Sequence, residues 1–177
     1  MSELSQVEPI TTLVLGFGNP LWGDDGAGIE AVNMLAENEI PDGVRVEPAG
    51  LPGFGLAAWL GDACLSSLQR LVLVDAARMG QAPGVWRRFT PEEVHLIARG
   101  GIVSLHEADL SSGLALSQAL GLLPEDVLFY AVEPGSFEDG PGLSPDVQGA
   151  LPEMVAEILL ELLNGRGKHD EQKNTDH

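Results

Sequence analysis

Short apolar segments and helical apolar patterns alternate along this chain. Four runs have the length and composition of buried strands, namely TTLVLGF, VRVEPAG, RLVLVDAA and DVLFYAVEP. A fifth segment, GVWRRFT, alternates between apolar and polar residues, which is typical of an edge strand. Strands that alternate with helices predict an α/β fold. We expect one three-layer domain with a mostly parallel, twisted five-stranded sheet and helices on both faces.

Helix boundaries are predicted from capping residues and from the period of the apolar positions. Asp24 and Asp25 have the chemistry of N-caps for the first helix, and the second helix is expected over about residues 56–69. A third helix is expected to carry three leucines on one face: Leu110, Leu114 and Leu120.

The sequence contains start and end signals for the last helix. Ser144-Pro145 is a typical start and Gly165 a typical end, while Pro152 is expected to kink the helix or to mark its true start. The polar, aperiodic segment 166–177 is predicted to be a disordered tail. Residues 1–10 are interpreted as an N-terminal extension, and residues 11–165 as the single domain.

Charge and cysteine content exclude several classes of protein. The net charge is −18, from 27 acidic and 9 basic residues, so neither a nucleic-acid partner nor an anionic membrane surface is expected. Cys64 is the only cysteine and is expected in the core, so no disulfide framework is predicted. No signal peptide or membrane-spanning run is recognisable, which predicts a cytoplasmic protein. The pattern leaves the oligomeric state open.

Three ionisable residues follow the predicted strands at positions where an α/β sheet binds ligands, beyond its carboxyl edge. Asp25 follows the first strand, Asp75 ends the third, and His106 precedes the third helix. Two carboxylates and an imidazole form a plausible ligand set for a divalent metal with open positions. Such a metal could polarise a carbonyl group or activate water. Taken alone, however, Asp25 could be only an N-cap, and a lone histidine is often structural.

Several motifs resemble those of the hydrogenase maturation peptidases. They are GFGNPLWGDDGAGIEAV, GLPGF, LVLVDAA, SLHEADL and VEPGSFEDGPGLSPDV, in the family's order from about Leu13 to Leu163. These endopeptidases remove the C-terminal extension from the large subunit of nickel–iron hydrogenases. The resemblance implies that Asp25, Asp75 and His106 are the metal-binding and catalytic residues. It also implies that the partner is the large-subunit precursor, which supplies the nickel as the sign of its maturation.

The chemical step and two neighbouring acids stay open at this point. The metal could polarise the scissile carbonyl, or Asp25 or Asp75 could act as general base, so the peptidase could be nickel-dependent or of the aspartic type. Asp24 is expected to cap the helix or to support the loop. Glu107 could hydrogen-bond to His106, or could interact with the helix dipole.

Two other classes of protein compete with this hypothesis. A non-cleaving chaperone or binding module could use the same three residues only to check the metal of the precursor. Peptidyl-tRNA hydrolase shares a strand followed by Gly-x-Gly-Asn-Pro, but that enzyme needs a basic face and a histidine soon after the motif. Here the net charge is −18 and the next histidine is His95.

Overall fold

The computed structural model describes residues 9–50, 54–62, 65–91, 93, 107–137 and 140–173. Within these ranges, five strands and four helices follow one another, with a short 3-10 turn after the first strand. In order they are β1 (Thr12–Phe17), the 3-10 turn (Gly23–Gly26), α1 (Ala27–Ala36), β2 (Val44–Gly50), α2 (Phe54–Leu60), β3 (Arg70–Ala76), β4 (Trp86–Phe89), α3 (Glu107–Ala119), β5 (Asp126–Val132) and α4 (Pro145–Lys173).

All five strands form one sheet in the order β2-β1-β3-β5-β4. The first four strands in that order are parallel, and β4 runs antiparallel to β5 at the edge. Parallel neighbours need crossover helices, and these cover both faces of the sheet. The predicted fold class, including the edge strand, is therefore confirmed.

Alternation along the strands separates two hydrophobic cores. On β1, Val14 faces one core, whereas Leu13 and Leu15 face the other. The first core is closed by α1 and α4, whose buried side chains pack on the sheet. The second is closed by α2 and α3, which contact each other on the opposite face. The three central strands, β1, β3 and β5, thus bury both of their faces, as expected inside a parallel sheet. The outer strands β2 and β4 are half-buried or exposed.

Glycines allow α1 to approach the backbone of the sheet. A Cβ atom added at Gly28 would lie 2.3 Å from the carbonyl oxygen of Val74 and 2.4 Å from that of Phe17. A Cβ atom at Gly16 would lie 2.2 Å from the carbonyl oxygen of Gly28. Real side chains do not tolerate such distances, so this packing of α1 on β1 and β3 requires glycine at both positions.

Several predicted helix boundaries are wrong. The second helix ends at Leu60, because Gly61 and Asp62 form a turn and both residues disfavour helix propagation. The third helix ends at Ala119, so Leu120 lies in the following turn and is exposed instead of sharing the face of Leu110 and Leu114.

The last helix begins at Pro145 as predicted but continues to Lys173, beyond Gly165. One glycine inside a helix costs only about 1 kcal/mol, so it does not have to end one. Residues 166–173, predicted as part of a disordered tail, are therefore helical. Pro152 lies inside the helix and does not mark its start. In the described part of the chain, no helix is long and apolar enough to cross a bilayer.

Candidate functional site

Asp25 lies in the 3-10 turn that connects β1 to α1. Its side chain is only 4% exposed, and its Oδ2 accepts a hydrogen bond from the backbone N–H of Asn19 at 2.9 Å. The backbone N–H of Asp25 donates to the carbonyl oxygen of Trp22 at 3.1 Å. Neither the turn nor α1 has a side-chain N-cap hydrogen bond. The N-cap interpretation is therefore wrong for Asp25, which is fixed by its own loop instead.

The loop returns on itself at Gly18 to bring Asp25 against β1. Gly18 has φ +122°, and a Cβ atom there would lie 1.7 Å from the backbone carbonyl oxygen of Asp25. Both the conformation and the contact exclude a side chain at this position. The glycine after the first strand thus has a structural task, which is to admit the backbone of the candidate site.

Asp75 lies near the carboxyl end of β3, on the strand adjacent to β1. It is 7% exposed, and its Oδ1 accepts the backbone N–H of Ala76 at 2.8 Å. Gly16 of β1 is in register with Val74 of β3, and the 3-10 turn that carries Asp25 contacts β3. The fold therefore brings Asp25 and Asp75 to the same corner of the carboxyl edge.

Asp24 has surroundings quite unlike those of its neighbour. It is 1% exposed, and among the described residues its two carboxylate oxygens accept hydrogen bonds from the segment between β5 and α4. The donors are the backbone N–H of Gly135 (2.7 Å), Ser136 (3.1 Å) and Ser144 (2.6 Å) and the hydroxyl of Ser144 (2.8 Å). Asp24 supports loops, and the helix-cap alternative is wrong for it as well.

These contacts fix the charge of Asp24. Burial acts to raise the pKa of this carboxyl, but the hydrogen bonds from Ser144, Ser136 and Gly135 outweigh burial, so its pKa lies below the usual value of 3.8. Asp24 is therefore an ionised hydrogen-bond acceptor at neutral pH.

Glu133 is a further buried carboxylate at this edge, and it was not among the predicted site residues. It follows β5, is 5% exposed, and accepts the backbone N–H of Met79 at 2.6 Å and of Gln81 at 3.0 Å through Oε2. A carboxylate directly after an apolar strand is the same signal that identified Asp75. That signal was available in the sequence DVLFYAVEP.

The third predicted ligand, His106, lies outside the described residues. Cys64 and His95 also lie outside them, and Glu107 is described only as the first residue of α3. Over the described ranges, no group of three or more histidine, cysteine, aspartate or glutamate side chains could hold a metal ion. Asp25 and Asp75 supply two buried carboxylates as possible metal ligands, which suits a metal site completed by a further ligand.

Most of the chain matches the model of a protein family. The family model of the hydrogenase maturation protease HycI matches residues 29–161. The chain belongs to the hydrogenase maturation protease family. The family consists of peptidases, so the predicted hydrolase class is confirmed at that level.

Relatives and solved structures agree with the family. The chain is 33% identical over 156 residues to the hydrogenase expression/formation protein HoxM of Azotobacter vinelandii, covering 88% of this chain and 73% of that one. It is 31% identical to the hydrogenase 2 maturation protease of Escherichia coli, covering 85% and 89%.

The hydrogenase maturation protease fold is also evident in known structures. The hydrogenase maturating endopeptidase HybD of E. coli superposes with a TM-score of 0.75 at 27% identity, over 88% of this chain and 93% of that one. The [NiFe] hydrogenase maturation protease HybD of Thermococcus kodakarensis gives 0.71 at 28% identity, over 86% and 98%.

Proposed function

We propose that this protein is an endopeptidase that removes the C-terminal extension of a nickel–iron hydrogenase large-subunit precursor after nickel insertion. Asp25, Asp75 and His106 recognise the nickel of the precursor, which enters the site as part of the substrate. The proposal is supported by family membership and by the similarity to the hydrogenase 2 maturation protease of E. coli.

One observation carries the assignment of the site: two buried carboxylates lie at the same corner of the sheet, each with one oxygen fixed by a backbone N–H. Asp25 is held by Asn19 and Asp75 by Ala76. Burial of carboxylates is costly, and a divalent cation next to them offsets that cost. Pre-oriented oxygen donors are also what a peptidase needs to hold a metal or a water molecule at the scissile bond.

The residues suit hydrolysis in either of two forms. A water oxygen attacks the carbonyl carbon, one water proton passes to a carboxylate of Asp25 or Asp75, and the C–N bond breaks as a proton reaches the leaving amine. In the first form, nickel held by Asp25, Asp75 and His106 would polarise the scissile carbonyl, and a carboxylate would only collect the proton that the attacking water loses. In the second form, a carboxylate activates the water and nickel serves for recognition.

The experiment incubates the cognate nickel-loaded precursor with wild-type protein and with Asp25→Asn or Asp75→Asn. Asp42→Asn is the matched control, because Asp42 is exposed in the turn before β2, at the opposite edge of the sheet. Intact-mass spectrometry should show loss of a C-terminal peptide with the wild type and the control only. Cleavage by either site variant at the wild-type rate would remove that residue from the mechanism.

A non-cleaving, metal-checking chaperone remains the alternative function for the same three residues. It predicts that the loaded precursor binds but keeps its full mass in every incubation. Stable binding without any loss of mass would replace the peptidase proposal by this alternative.

A further inference from the structure

Asp24 connects the loop of Asp25 to the segment that precedes α4. Within the described residues, its carboxylate accepts four hydrogen bonds, from Gly135, Ser136 and Ser144, and both of its oxygens take part. Two backbone contacts run in parallel, because the N–H of Asp24 donates to Ser136 at 3.1 Å and that of Gly23 donates to Gly140 at 2.5 Å. The 3-10 turn is thereby fastened to the β5–α4 connection.

Glu133 links the β5–α4 connection to the segment that follows Asp75. Its Oε2 accepts the N–H groups of Met79 and Gln81, which lie in the segment between β3 and β4. The backbone of Glu133 is held there as well, since its N–H donates to Val85 at 2.8 Å and its carbonyl accepts from Gly84 at 2.9 Å.

The contacts of Asp24 and of Glu133 both involve the β5–α4 connection. Asp24 follows β1 and reaches the β5–α4 connection, while Glu133 begins that connection and reaches the chain after β3. The loop that carries Asp25 and the loop that follows Asp75 are therefore joined through a third loop by two buried carboxylates. Since Asp24 already accepts hydrogen bonds on both oxygens, it is poorly suited to take a proton from water.

We propose that Asp24 and Glu133 are two buried positioning residues, which set the orientation of the Asp25 and Asp75 carboxylates. The catalytic part of this inference rests on the proposed function, whereas its geometric part does not. The geometry has its own reporters, because the amides of Asn19 and Ala76 donate directly to Asp25 and Asp75.

The variants differ in how many hydrogen bonds they spare. Asp24→Asn places an NH2 group against N–H donors, because both oxygens of Asp24 are acceptors. Glu133→Gln can keep its carbonyl oxygen on Met79 and Gln81, because both N–H groups donate to the same oxygen. Glu133→Ala removes the acceptor. Glu37→Gln is the control, since Glu37 is exposed at the end of α1.

Amide resonances and hydrogen exchange should be measured on each folded variant. We expect Asp24→Asn to shift the Asn19 amide and to reduce its protection, and Glu133→Ala to do the same at Ala76. Glu133→Gln should restore the wild-type values, and Glu37→Gln should leave them unchanged. If Asp24→Asn does not fold, Ser144→Ala removes only the hydroxyl donor and should shift the Asn19 amide by less.

Cleavage of the loaded precursor supplies the second measurement. Loss of a residue that orients metal ligands typically lowers activity about 10- to 100-fold. The kcat of Asp24→Asn and of Glu133→Ala should therefore fall by about that factor, with KM little changed. Glu133→Gln should recover most of the rate, which a mere loss of stability would not explain.

Two results would overturn the proposal. Unchanged Asn19 and Ala76 amides in folded Asp24→Asn and Glu133→Ala refute the geometric link. Changed amides with a full wild-type kcat refute the positioning role. Failure of the wild type to cleave any loaded precursor refutes the proposed function instead. The amide measurement then still decides whether Asp24 and Glu133 orient the two carboxylates.

Discussion

The backbone N–H of Ser144 donates to Oδ1 of Asp24 at 2.6 Å, although the two residues are 120 positions apart in the sequence. The Ser144 hydroxyl donates to the other carboxylate oxygen at 2.8 Å. Ser144 directly precedes α4, so one residue joins the start of this helix to the loop of the candidate site. The adjacent aspartates thus differ in task, since Asp24 holds loops together while Asp25 is predicted to meet the substrate.

The contribution of Asp24 to stability should depend on pH. Its folded-state pKa is lowered relative to 3.8, so its ionised form stabilises the fold above the unfolded-state pKa, and that stability is lost as pH falls through the folded value. The difference in unfolding free energy between wild type and Asp24→Asn should be constant near neutrality and should shrink only below about pH 4. Denaturant unfolding at a series of pH values measures it. A difference that already vanishes near neutrality would contradict the assigned ionisation.

Tyr130 should resist ionisation in the folded protein. Burial raises its pKa to about 12, the negative charge of Glu161 adds to the shift, and Arg88 opposes it in part. The hydroxyl makes no hydrogen bond of normal geometry to any described residue. A raised folded pKa stabilises the fold below the unfolded value of 10.0, and that contribution is lost as pH rises towards 12.

Tyr130 is the only tyrosine, so the ultraviolet absorbance of tyrosinate reports it alone. The folded protein should give a midpoint of about 12, against 10.0 in denaturant. A midpoint near the denatured value in protein that is still folded would contradict the burial of this hydroxyl.

Gly28→Ala should destabilise the fold strongly. The new methyl group would meet the backbone oxygens of Val74 and Phe17, and overpacking of this kind costs about 1–3 kcal/mol, or more where only backbone can move. Gly149→Ala is the control, because this glycine is exposed inside α4 with open space around it. The control should be stabilised by up to about 1 kcal/mol. Equal unfolding free energies for the two variants would refute the close approach of α1 to the sheet.

Trp22 should contribute to binding of the precursor. It is 59% exposed and its neighbour Leu21 is 68% exposed, and the turn that presents them is fixed by N–H groups of Leu21 and Trp22 donating to Asn19 at 3.0 Å. Exposed aromatic side chains next to a site often dominate binding energy. Under the proposed function, Trp22→Ala should raise KM about tenfold with kcat and thermal stability unchanged.

The control for Trp22 is Leu120→Ala, which removes another exposed apolar side chain, 58% exposed, beyond the end of α3. It should leave KM unchanged. Steady-state cleavage of the loaded precursor measures both variants, and an unchanged KM in Trp22→Ala would show that this turn does not contact the substrate.

The strands were predictable because a parallel sheet buried on both faces requires continuous apolar runs. Asp25 and Asp75 could be found for a related reason: parallel strands end at one edge, and each carboxylate follows such a run. Helix ends were harder to predict, because Gly165 is of a residue type that often ends helices but lies inside α4. A glycine ends a helix only where the local turn is more stable than another helical residue.

The positioning residues Asp24 and Glu133 could not be derived from the local sequence pattern. The partners of Asp24 lie between β5 and α4, and those of Glu133 lie between β3 and β4. These loops meet only once the strand order β2-β1-β3-β5-β4 is fixed. The pair Asp24-Asp25 has the sequence of an N-cap, but Asp24 accepts hydrogen bonds from distant residues and Asp25 accepts one from Asn19 of its own loop.

The most direct test of the account is whether nickel in the precursor controls cleavage. Cognate large-subunit precursor, nickel-loaded and nickel-free, is incubated with the wild-type protein, and both intact masses are followed with time. We predict loss of a C-terminal peptide from the loaded precursor and full mass for the nickel-free one. Equal cleavage of both would contradict recognition of the metal, and an uncut loaded precursor would contradict the peptidase function itself.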